Sequence, residues 1–334
     1  MMFLELRKIS EWVRRAVPVA VLCAVVIGLP AVRTALAQTP AIPSGLVTAQ
    51  AATVVVGQKN FSDITSGNDN QRWGAISGIA IAGNKLIVAD SSYLAPPNNN
   101  RVLIYNDLNA LRQKPPQDDI PNAEVIVGQA GPGLTGGGTS STQMFQPSGV
   151  ATDGTRLFVV EWGNNRVLVY NRIPTSDGAA ADLVIGQPDF TSQAFATTAK
   201  NFRRPNGIST DGTRLFVSDT LNNRVVIFNS IPTTNGASGD LEIGQPNFTS
   251  FAHLPTASNT LFDPMSATTD GQRLIVTDFG NNRVLIYNRI PTQSGASADV
   301  VVGQPDFISK SAGNTETTLN FPRYAYSDGT RLVI

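Results

Sequence analysis

The feature that most constrains the fold is a repeated segment, Asn-Asn-Arg-Val followed by apolar residues. Its arginine recurs at Arg101, Arg166, Arg224 and Arg283, with spacings of 65, 58 and 59 residues. A Gly-Gln motif after two apolar residues has nearly the same period, and its glycines are Gly57, Gly128, Gly186, Gly244 and Gly303. A fixed period of this kind is typical of solenoids and propellers, in which each unit buries its faces only against its neighbours.

Each unit contains four short segments with strand character. In the unit 205–245 these segments are 207–210, 215–218, 224–229 and 240–243, and they are rich in β-branched and aromatic residues. Asp211-Gly212, between the first two segments, predicts a tight hairpin turn. Pro232 and Gly236 keep the connection before the fourth segment out of any strand ladder. We therefore predict four antiparallel strands in each unit.

The predicted fold class is all-β, a β-propeller of four-stranded antiparallel blades. After residue 50 no window of useful length has apolar residues at helical spacing, which argues against a helical solenoid. Radial repetition of four strands leaves only short, protected edges. A β-sandwich is the alternative architecture, but it does not require a repeated sequence. Four complete units are predicted, at 73–129, 147–187, 205–245 and 264–304, plus a partial fifth that begins at Pro322.

Two segments fall outside the complete units. Residues 53–58 have the sequence of a fourth strand without the three strands that should precede it, and the fifth unit reaches Ile334 within its second strand. These two segments can pair to close a ring, but the third strand of that blade would still be absent. We therefore expect a truncated chain rather than a finished five-bladed ring.

The repeated unit resembles the NHL repeat. The segment 216–228, preceded by Pro205-Asn206-Gly207-Ile208, is similar to the NHL pattern: Pro-x-Gly-Val, an apolar strand ending in Ala-Asp, then Asn-Asn-Arg-Ile or Asn-Asn-Arg-Val and an aromatic residue. The resemblance covers most of residues 73–334. It implies NHL-like propeller blades in a bacterial, exported, long-repeat variant, whose extra residues lie in the Ile-Pro-Thr connection and after Gly-Gln-Pro.

The N-terminus has the layout of a secretory signal peptide. Residues 1–37 contain a basic beginning, an apolar stretch from 16 to 32 and Ala35-Leu36-Ala37 before Gln38. An uncleaved membrane anchor is the alternative, although the apolar stretch contains prolines and is barely long enough to span a bilayer. We predict a signal peptide at 1–37, a flexible lead-in at 38–52 and the propeller at 53–334. The mature chain would be secreted or periplasmic, with no membrane span.

Cleavage would change both charge and cysteine content. The single cysteine, Cys23, lies inside the signal, so the mature chain would have no disulfide. The whole chain has 25 basic and 25 acidic residues, and the signal contains five of the basic and two of the acidic ones. The mature chain would therefore have a net charge of about −3. A slightly acidic exported protein lacks the positive charge that drives binding to RNA phosphates, so no nucleic-acid partner is predicted.

An acidic residue precedes each repeated arginine across the turn between the second and third strands. We interpret these carboxylate–guanidinium pairs as structural, because they recur in every complete unit. The predicted pairs are Asp90 with Arg101, Glu161 with Arg166, Asp219 with Arg224 and Asp278 with Arg283. Calcium bound by these Asp and Asn oxygens is the alternative, but the arginine competes for the same carboxylate and no loop has a calcium-binding spacing.

No catalytic or transition-metal site is predicted. His253 is the only histidine, it lies in a loop, and no Gly-x-Ser-x-Gly nucleophile motif accompanies it. The mature chain would have one histidine and no cysteine, which cannot form a zinc or copper site built from His and Cys. Among NHL-like propellers, the zinc-dependent lyases of peptidylglycine intermediates need histidine ligands that this sequence lacks. The glycine-rich segment 131–138 has no Gly-Lys-Ser or Gly-Lys-Thr and is interpreted as a loop.

One end of the propeller is the best candidate for binding. The turns between second and third strands and the connections between blades emerge on the same side, which we call the loop face. Aromatic and arginine residues, the commonest binding anchors, are predicted there. The candidate residues are Tyr93, Trp162, Arg203, Arg204, Leu221, Phe279 and Arg323. The alternative is that Trp162 and Phe279 only pack on the adjacent blade.

The sequence thus predicts an exported, non-catalytic propeller that binds protein, peptide or glycan through the loop face. No cofactor is expected. A calcium-dependent hydrolase or lyase, of the kind found among six-bladed propellers that resemble this fold, is the alternative. One tightly bound calcium ion per molecule would favour the enzyme.

Overall fold

A computed structural model describes residues 4–5, 55–60, 62–63, 65–91, 98–113 and 121–334. Apart from Leu4–Glu5, the predicted signal peptide lies outside the described residues, as do the lead-in at 38–52 and the candidate Tyr93.

The described residues form short strands, one short α-helix and two 3-10 turns. The helix α1 is Leu108–Gln113, and the 3-10 turns are Thr220–Asn222 and Phe279–Asn281. The strands, in chain order, are β1 (Leu4–Glu5), β2 (Ile76–Ala82), β3 (Lys85–Asp90), β4 (Arg101–Tyr105), β5 (Val125–Val127), β6 (Pro147–Thr152), β7 (Leu157–Glu161), β8 (Arg166–Tyr170), β9 (Leu183–Ile185), β10 (Ile208–Thr210), β11 (Leu215–Asp219), β12 (Arg224–Phe228), β13 (Leu241–Ile243), β14 (Pro264–Thr269), β15 (Leu274–Asp278), β16 (Arg283–Tyr287), β17 (Val300–Val302), β18 (Tyr326–Ser327) and β19 (Arg331–Val333).

The strands form four antiparallel sheets of four strands each, ordered as in the chain. The sheets are β2-β3-β4-β5, β6-β7-β8-β9, β10-β11-β12-β13 and β14-β15-β16-β17. A smaller sheet, β1-β19-β18, follows them. The first strands of successive sheets pack side by side, β2 on β6, β6 on β10, β10 on β14 and β14 on β18. The predicted all-β propeller with four complete blades is therefore confirmed.

The central strands of the second and third blades are buried on both faces, because each of these blades lies between two others. In β11 all five residues are buried. Leu215 and Val217 pack with the second blade, whereas Phe216, between them, packs with the fourth. Alternate side chains of a strand point to opposite faces, so a blade in the middle of the array needs apolar residues at both sets of positions. Burying each such side chain contributes about 1.5–3 kcal/mol.

The Asp-Gly turns between the first and second strands form as the sequence predicts. Gly212 has a φ of 91°, a conformation that glycine adopts without steric cost. The Asp211 Oδ1 accepts the N–H groups of Thr213 (3.0 Å) and Arg214 (2.7 Å). The turn therefore supplies its own hydrogen-bond acceptors, which explains why Asp-Gly recurs at this position.

Helix α1 was not predicted from the sequence. It lies in the first blade, where the Ile-Pro-Thr connection of the other blades is absent, and Leu108 and Leu111 are buried against Trp73 and Tyr105. The Asp107 Oδ1 accepts the N–H groups of the first turn. Six residues are too few to show the periodicity from which a helix is predicted.

Candidate binding face

The acidic residue and the arginine of each repeat lie opposite each other at the loop face. In the third blade Asp219 ends β11, Arg224 begins β12, and the two are paired in register. The Arg224 Nε–H donates to Asp219 Oδ2 at 2.8 Å, and neither side chain is exposed. The Asn222 amide also donates to Oδ2, and the Arg203 N–H donates to Oδ1. Both carboxylate oxygens are therefore occupied.

The remaining N–H groups of Arg224 hold the connections between blades. Its Nη1 donates to the carbonyl of Phe248, and its Nη2 donates to the carbonyls of Thr198 and Asn201. The same ion pair forms between Asp90 and Arg101, between Glu161 and Arg166, and between Asp278 and Arg283. Burial raises the pKa of all four acids, although each arginine lowers it. The ion pair of the third blade is thus bound to the two blade connections that flank it.

A left-handed residue begins each of the second to fifth blades. Gln146, Arg204, Asp263 and Phe321 have φ between 49° and 53° although none is a glycine. Such residues are uncommon outside turns and sites of function. The backbone position is the same in each blade but the side chain differs, so the loop face presents four chemically different groups at equivalent places.

Arg203 lies between two exposed phenylalanine rings. Its guanidinium carbon is 5.1 Å from the centre of the Phe195 ring and 5.8 Å from that of Phe251. Phe195 is 62% exposed and Phe251 is 50% exposed. The rings come from two successive blade connections, so the cluster spans the boundary between the third blade and its neighbours.

Two further arginines contact aromatic rings across blade boundaries. Arg204 of the third blade lies 5.8 Å from the Trp162 ring of the second. Arg323 lies 5.5 Å from the Phe279 ring of the fourth blade, and Phe279 also contacts Phe321 at 4.8 Å between ring centres. Five of the predicted candidates, Trp162, Arg203, Arg204, Phe279 and Arg323, are therefore in contact with arginine or aromatic partners on this face.

Leu221 has a different environment from the other candidates. It is half-buried in the 3-10 turn, and its N–H donates to the Arg203 carbonyl at 3.1 Å. It therefore supports the backbone of Arg203. The predicted candidates did not include four exposed phenylalanines of the blade connections, Phe145, Phe195, Phe251 and Phe321. Their common signal is an aromatic residue in a connection whose sequence changes from unit to unit.

His253 is stacked on Phe262 rather than placed beside a nucleophile. The two rings are 3.7 Å apart and nearly parallel, with an angle of 6° between their planes. Asp263 follows Phe262, and burial raises the pKa of its carboxyl, although the charge of His253 acts to lower it.

The axis of the propeller is narrow near the loop face. A β-carbon at Gly207 would lie 2.5 Å from the Met265 carbonyl of the next blade, so only glycine fits there. The equivalent residue at the start of the fifth blade is Tyr324, whose hydroxyl would be 3.5 Å from a β-carbon at Gly149 of the second blade. Tyr324 therefore crosses the axis.

The opposite mouth of the channel is formed by the turns between first and second strands. These turns surround a pocket of about 510 Å³, whose acidic residues are Asp153, Asp211, Asp270 and Asp328. The carboxylates are used within their own turns, as in the pair between Asp153 and Arg156 (2.6 Å). Arg156 also donates to the Gly212 carbonyl of the next blade. The turns therefore link neighbouring blades.

In the described ranges, no three His, Cys, Asp or Glu side chains are grouped in a way that could hold a metal ion. Over the same ranges, no helix is both long and apolar enough to cross a membrane.

No family model and no curated protein matches this chain. Among solved structures, it is similar to Kuenenia stuttgartiensis hydrazine synthase, with 13% identity over 68% of this chain and 49% of that chain and a TM-score of 0.38. A chain of a nidogen–laminin complex has 16% identity over 69% of this chain and 65% of its own, with a TM-score of 0.36. U3-55K has 11% identity over 71% of this chain and 54% of its own, with a TM-score of 0.37. The chain thus spans about half to two thirds of these proteins, and the likeness concerns the fold alone.

Proposed function

We propose that this protein is an exported, non-catalytic propeller of the NHL-repeat type that binds a protein, peptide or glycan through its loop face. The observation that carries the proposal is the distribution of exposed apolar side chains. Nine large apolar residues are exposed in the described part of the chain, and six of them lie in connections between blades. These six are Leu134, Phe145, Phe195, Phe251, Ile308 and Phe321. Exposed apolar groups gathered on one side of a protein are typical of an interaction surface.

The other side of each blade has a structural use. The three copies of Ile-Pro-Thr, which begin at Ile173, Ile231 and Ile290, lead to glycines whose N–H groups bind a neighbouring blade. Gly178 donates to the Ile126 carbonyl and Gly236 to the Val184 carbonyl, both at 2.9 Å. Near-identical connections with identical contacts favour a framework, whereas the loop face offers the variety that one asymmetric ligand needs.

Export and family membership rest on the sequence. The basic, apolar and small-residue order of residues 1–37 supports a secretory signal, and the order Pro-x-Gly, Asp and Asn-Asn-Arg-Val supports the NHL type. The absence of a catalytic role is supported by the ion pairs, because the buried acids of the repeats are engaged by arginine and backbone N–H groups rather than facing a substrate.

The test begins with selection of binders from a random-peptide library and a glycan array against the mature chain. Each binder is then titrated against Trp162→Ala and against Thr233→Ala on the opposite side, after circular dichroism shows that both variants are folded. We expect Trp162→Ala to weaken binding roughly thirtyfold, as for a central aromatic anchor, and Thr233→Ala to leave it unchanged. Equal weakening by the two variants would show that the loop face is not the binding surface.

A further inference from the structure

Three arginines of the loop face have unusually few polar partners. The guanidinium groups of Arg203, Arg204 and Arg323 lie over aromatic rings at 5.1, 5.8 and 5.5 Å. Throughout the described ranges, none of the three guanidinium groups donates a hydrogen bond or forms an ion pair. Each group is therefore held in place by ring contacts while its N–H edge stays available.

Other arginines of the chain are used differently. The four repeated arginines donate their N–H groups to a carboxylate and to loop carbonyls, as Arg224 does. Arg156, Arg214 and Arg273 pair with aspartates in the Asp-Gly turns. The arginines that lack such partners and also rest on rings are concentrated on the loop face.

Acidic residues of the blade connections do not neutralise these arginines. The Asp189 Oδ1 accepts the Thr191 hydroxyl and the N–H groups of Thr191 and Ser192, and these hydrogen bonds lower its pKa to about 2. Asp306 is held in the same way by Ile308 and Ser309. Asp263 lies beside His253. In the described ranges none of these three carboxylates pairs with Arg203, Arg204 or Arg323, so the guanidinium groups can still pair with an anionic ligand.

A guanidinium that rests on a ring offers a planar edge of N–H donors, which matches a carboxylate in bidentate fashion. The ring also fixes the orientation of the side chain, so less conformational freedom is lost when the anion binds. Phe195 and Phe251 flank Arg203. Phe279 contacts both Arg323 and Phe321. Each cationic group of the face thus has an aromatic ring next to it.

We infer that the loop face binds an acidic peptide segment in which carboxylate side chains alternate with apolar side chains. The carboxylates pair with Arg203, Arg204 and Arg323, and the apolar side chains contact Phe195, Phe251 and Phe321. This inference rests on the proposed function and names the class of partner. The exposed phenylalanine rings favour a peptide with apolar side chains, because burying apolar surface against these rings is favourable.

The test uses fluorescence anisotropy with a labelled peptide that contains alternating aspartate and leucine between Gly-Ser flanks. Three matched probes accompany it: one with asparagine for aspartate, one with serine for leucine, and a labelled heparin oligosaccharide. The proteins are the mature chain, Arg203→Gln, Arg204→Gln, Arg323→Gln and the control Arg172→Gln. Arg172 is exposed at the start of an Ile-Pro-Thr connection, so the control removes the same charge from the other side. Gln146 occupies the position equivalent to Arg204, so glutamine is compatible with that backbone.

We expect the aspartate–leucine probe to bind more tightly than the other three, and its binding to weaken as salt is added. Each loop-face variant should weaken it roughly tenfold or more, as expected for a lost charge-assisted hydrogen bond, and Arg172→Gln should not. Equal binding of the asparagine probe, tighter binding of heparin, or equal effects of Arg172→Gln and Arg204→Gln would overturn the inference.

The result also separates this inference from the proposed function. If the acidic probe fails to bind while a neutral library peptide or a glycan binds and is weakened by Trp162→Ala, the acidic partner is wrong and the binding face is right. If no binder responds to any loop-face variant, the proposed function fails as well.

Discussion

The side-chain oxygen of Asn223 accepts the backbone N–H of Asp263 at 2.9 Å, which joins the third blade to the start of the fourth. Both residues have left-handed backbones, with φ of 55° and 49°. The Asn223 amide nitrogen donates in turn to the Phe251 carbonyl at 2.8 Å. Asn100, Asn165 and Asn282 make the equivalent bond to the first residue of the blade that follows each of them. The second asparagine of Asn-Asn-Arg is therefore a link between blades.

We expect Asn223→Ala to lower the free energy of unfolding by about 1–3 kcal/mol, because two partly buried backbone groups lose their partner and alanine tolerates φ > 0 less well than asparagine. Urea denaturation followed by circular dichroism measures the change. Asn229→Ala is the control, since the Asn229 side chain is exposed and only its backbone N–H is bonded. If the two variants unfold at the same urea concentration, the link does not contribute to stability.

Arg224→Ala should be more damaging than Asn223→Ala. Removing the guanidinium leaves the Asp219 carboxylate buried without its counter-ion and leaves the Phe248, Thr198 and Asn201 carbonyls without their donor. The cost of breaking a buried pair in this way is about 3–5 kcal/mol. Thermal unfolding gives the measurement.

Arg214→Ala is the matched control for Arg224→Ala, because Arg214 belongs to the same blade but its pair with Asp211 is partly exposed. Pairs of this kind contribute at most about 1 kcal/mol. A melting temperature for Arg224→Ala that equals that of Arg214→Ala would show that the buried pair is not structural.

Much of the blade could be predicted because its determinants are local and repeated. The Asp211-Gly212 turn precedes β11 and the Asn-Asn-Arg segment follows it, so together they fix both ends of that strand. The predicted strands agree with β11 and β12 to within one residue. The departure in the first blade, helix α1, depends on burial of Leu108 and Leu111 against Trp73. That contact is tertiary and has no counterpart in the other units, so periodicity gives no sign of it.

The candidate face could be predicted only in part. Blade topology alone places the turns between second and third strands beside the blade connections, which is why Trp162 and Arg204 could be assigned to one surface. Phe195 and Phe251 sit at non-equivalent places in two long connections, as the sequences after Gly186 and Gly244 show. Their contact with Arg203 follows from the path of those connections, which the repeat does not determine.

Calcium should leave the stability of the protein unchanged. The acids of the repeats have both oxygens occupied, as Asp219 does with Arg224, Asn222 and the Arg203 N–H, whereas calcium requires about 6–8 oxygen ligands. We expect melting temperatures in calcium and in EDTA to agree within about 1 °C, with magnesium as the control cation, since a ligand stabilises only the state that binds it. One calcium ion bound tightly per chain in a calorimetric titration would instead support the hydrolase or lyase alternative.

Glu242 occupies a position that is apolar in the other blades. Ile126, Val184 and Val301 lie at the equivalent places of β5, β9 and β17, each opposite the third strand of its blade. Glu242 is 1% exposed, and no described residue donates a hydrogen bond to its Oε2. Burial raises the pKa of this carboxyl, and Ser294 and the charge of Arg224 lower it less. A buried carboxylate with an unsatisfied oxygen destabilises the folded state.

We expect Glu242→Val to raise the free energy of unfolding at neutral pH by about 1–3 kcal/mol, with the exposed Glu316→Val as control. The pH dependence gives the decisive measurement. Because the folded pKa lies above the ordinary value of 4.5, the folded protein binds this proton more tightly than the unfolded chain does. The contribution of Glu242 to stability is therefore most favourable below about pH 4.5 and becomes less favourable as pH rises through the folded pKa. The advantage of Glu242→Val should grow in urea titrations from about pH 4 to about pH 8; an advantage that is constant over this range, or matched by Glu316→Val, would show that the carboxyl is not strained by burial.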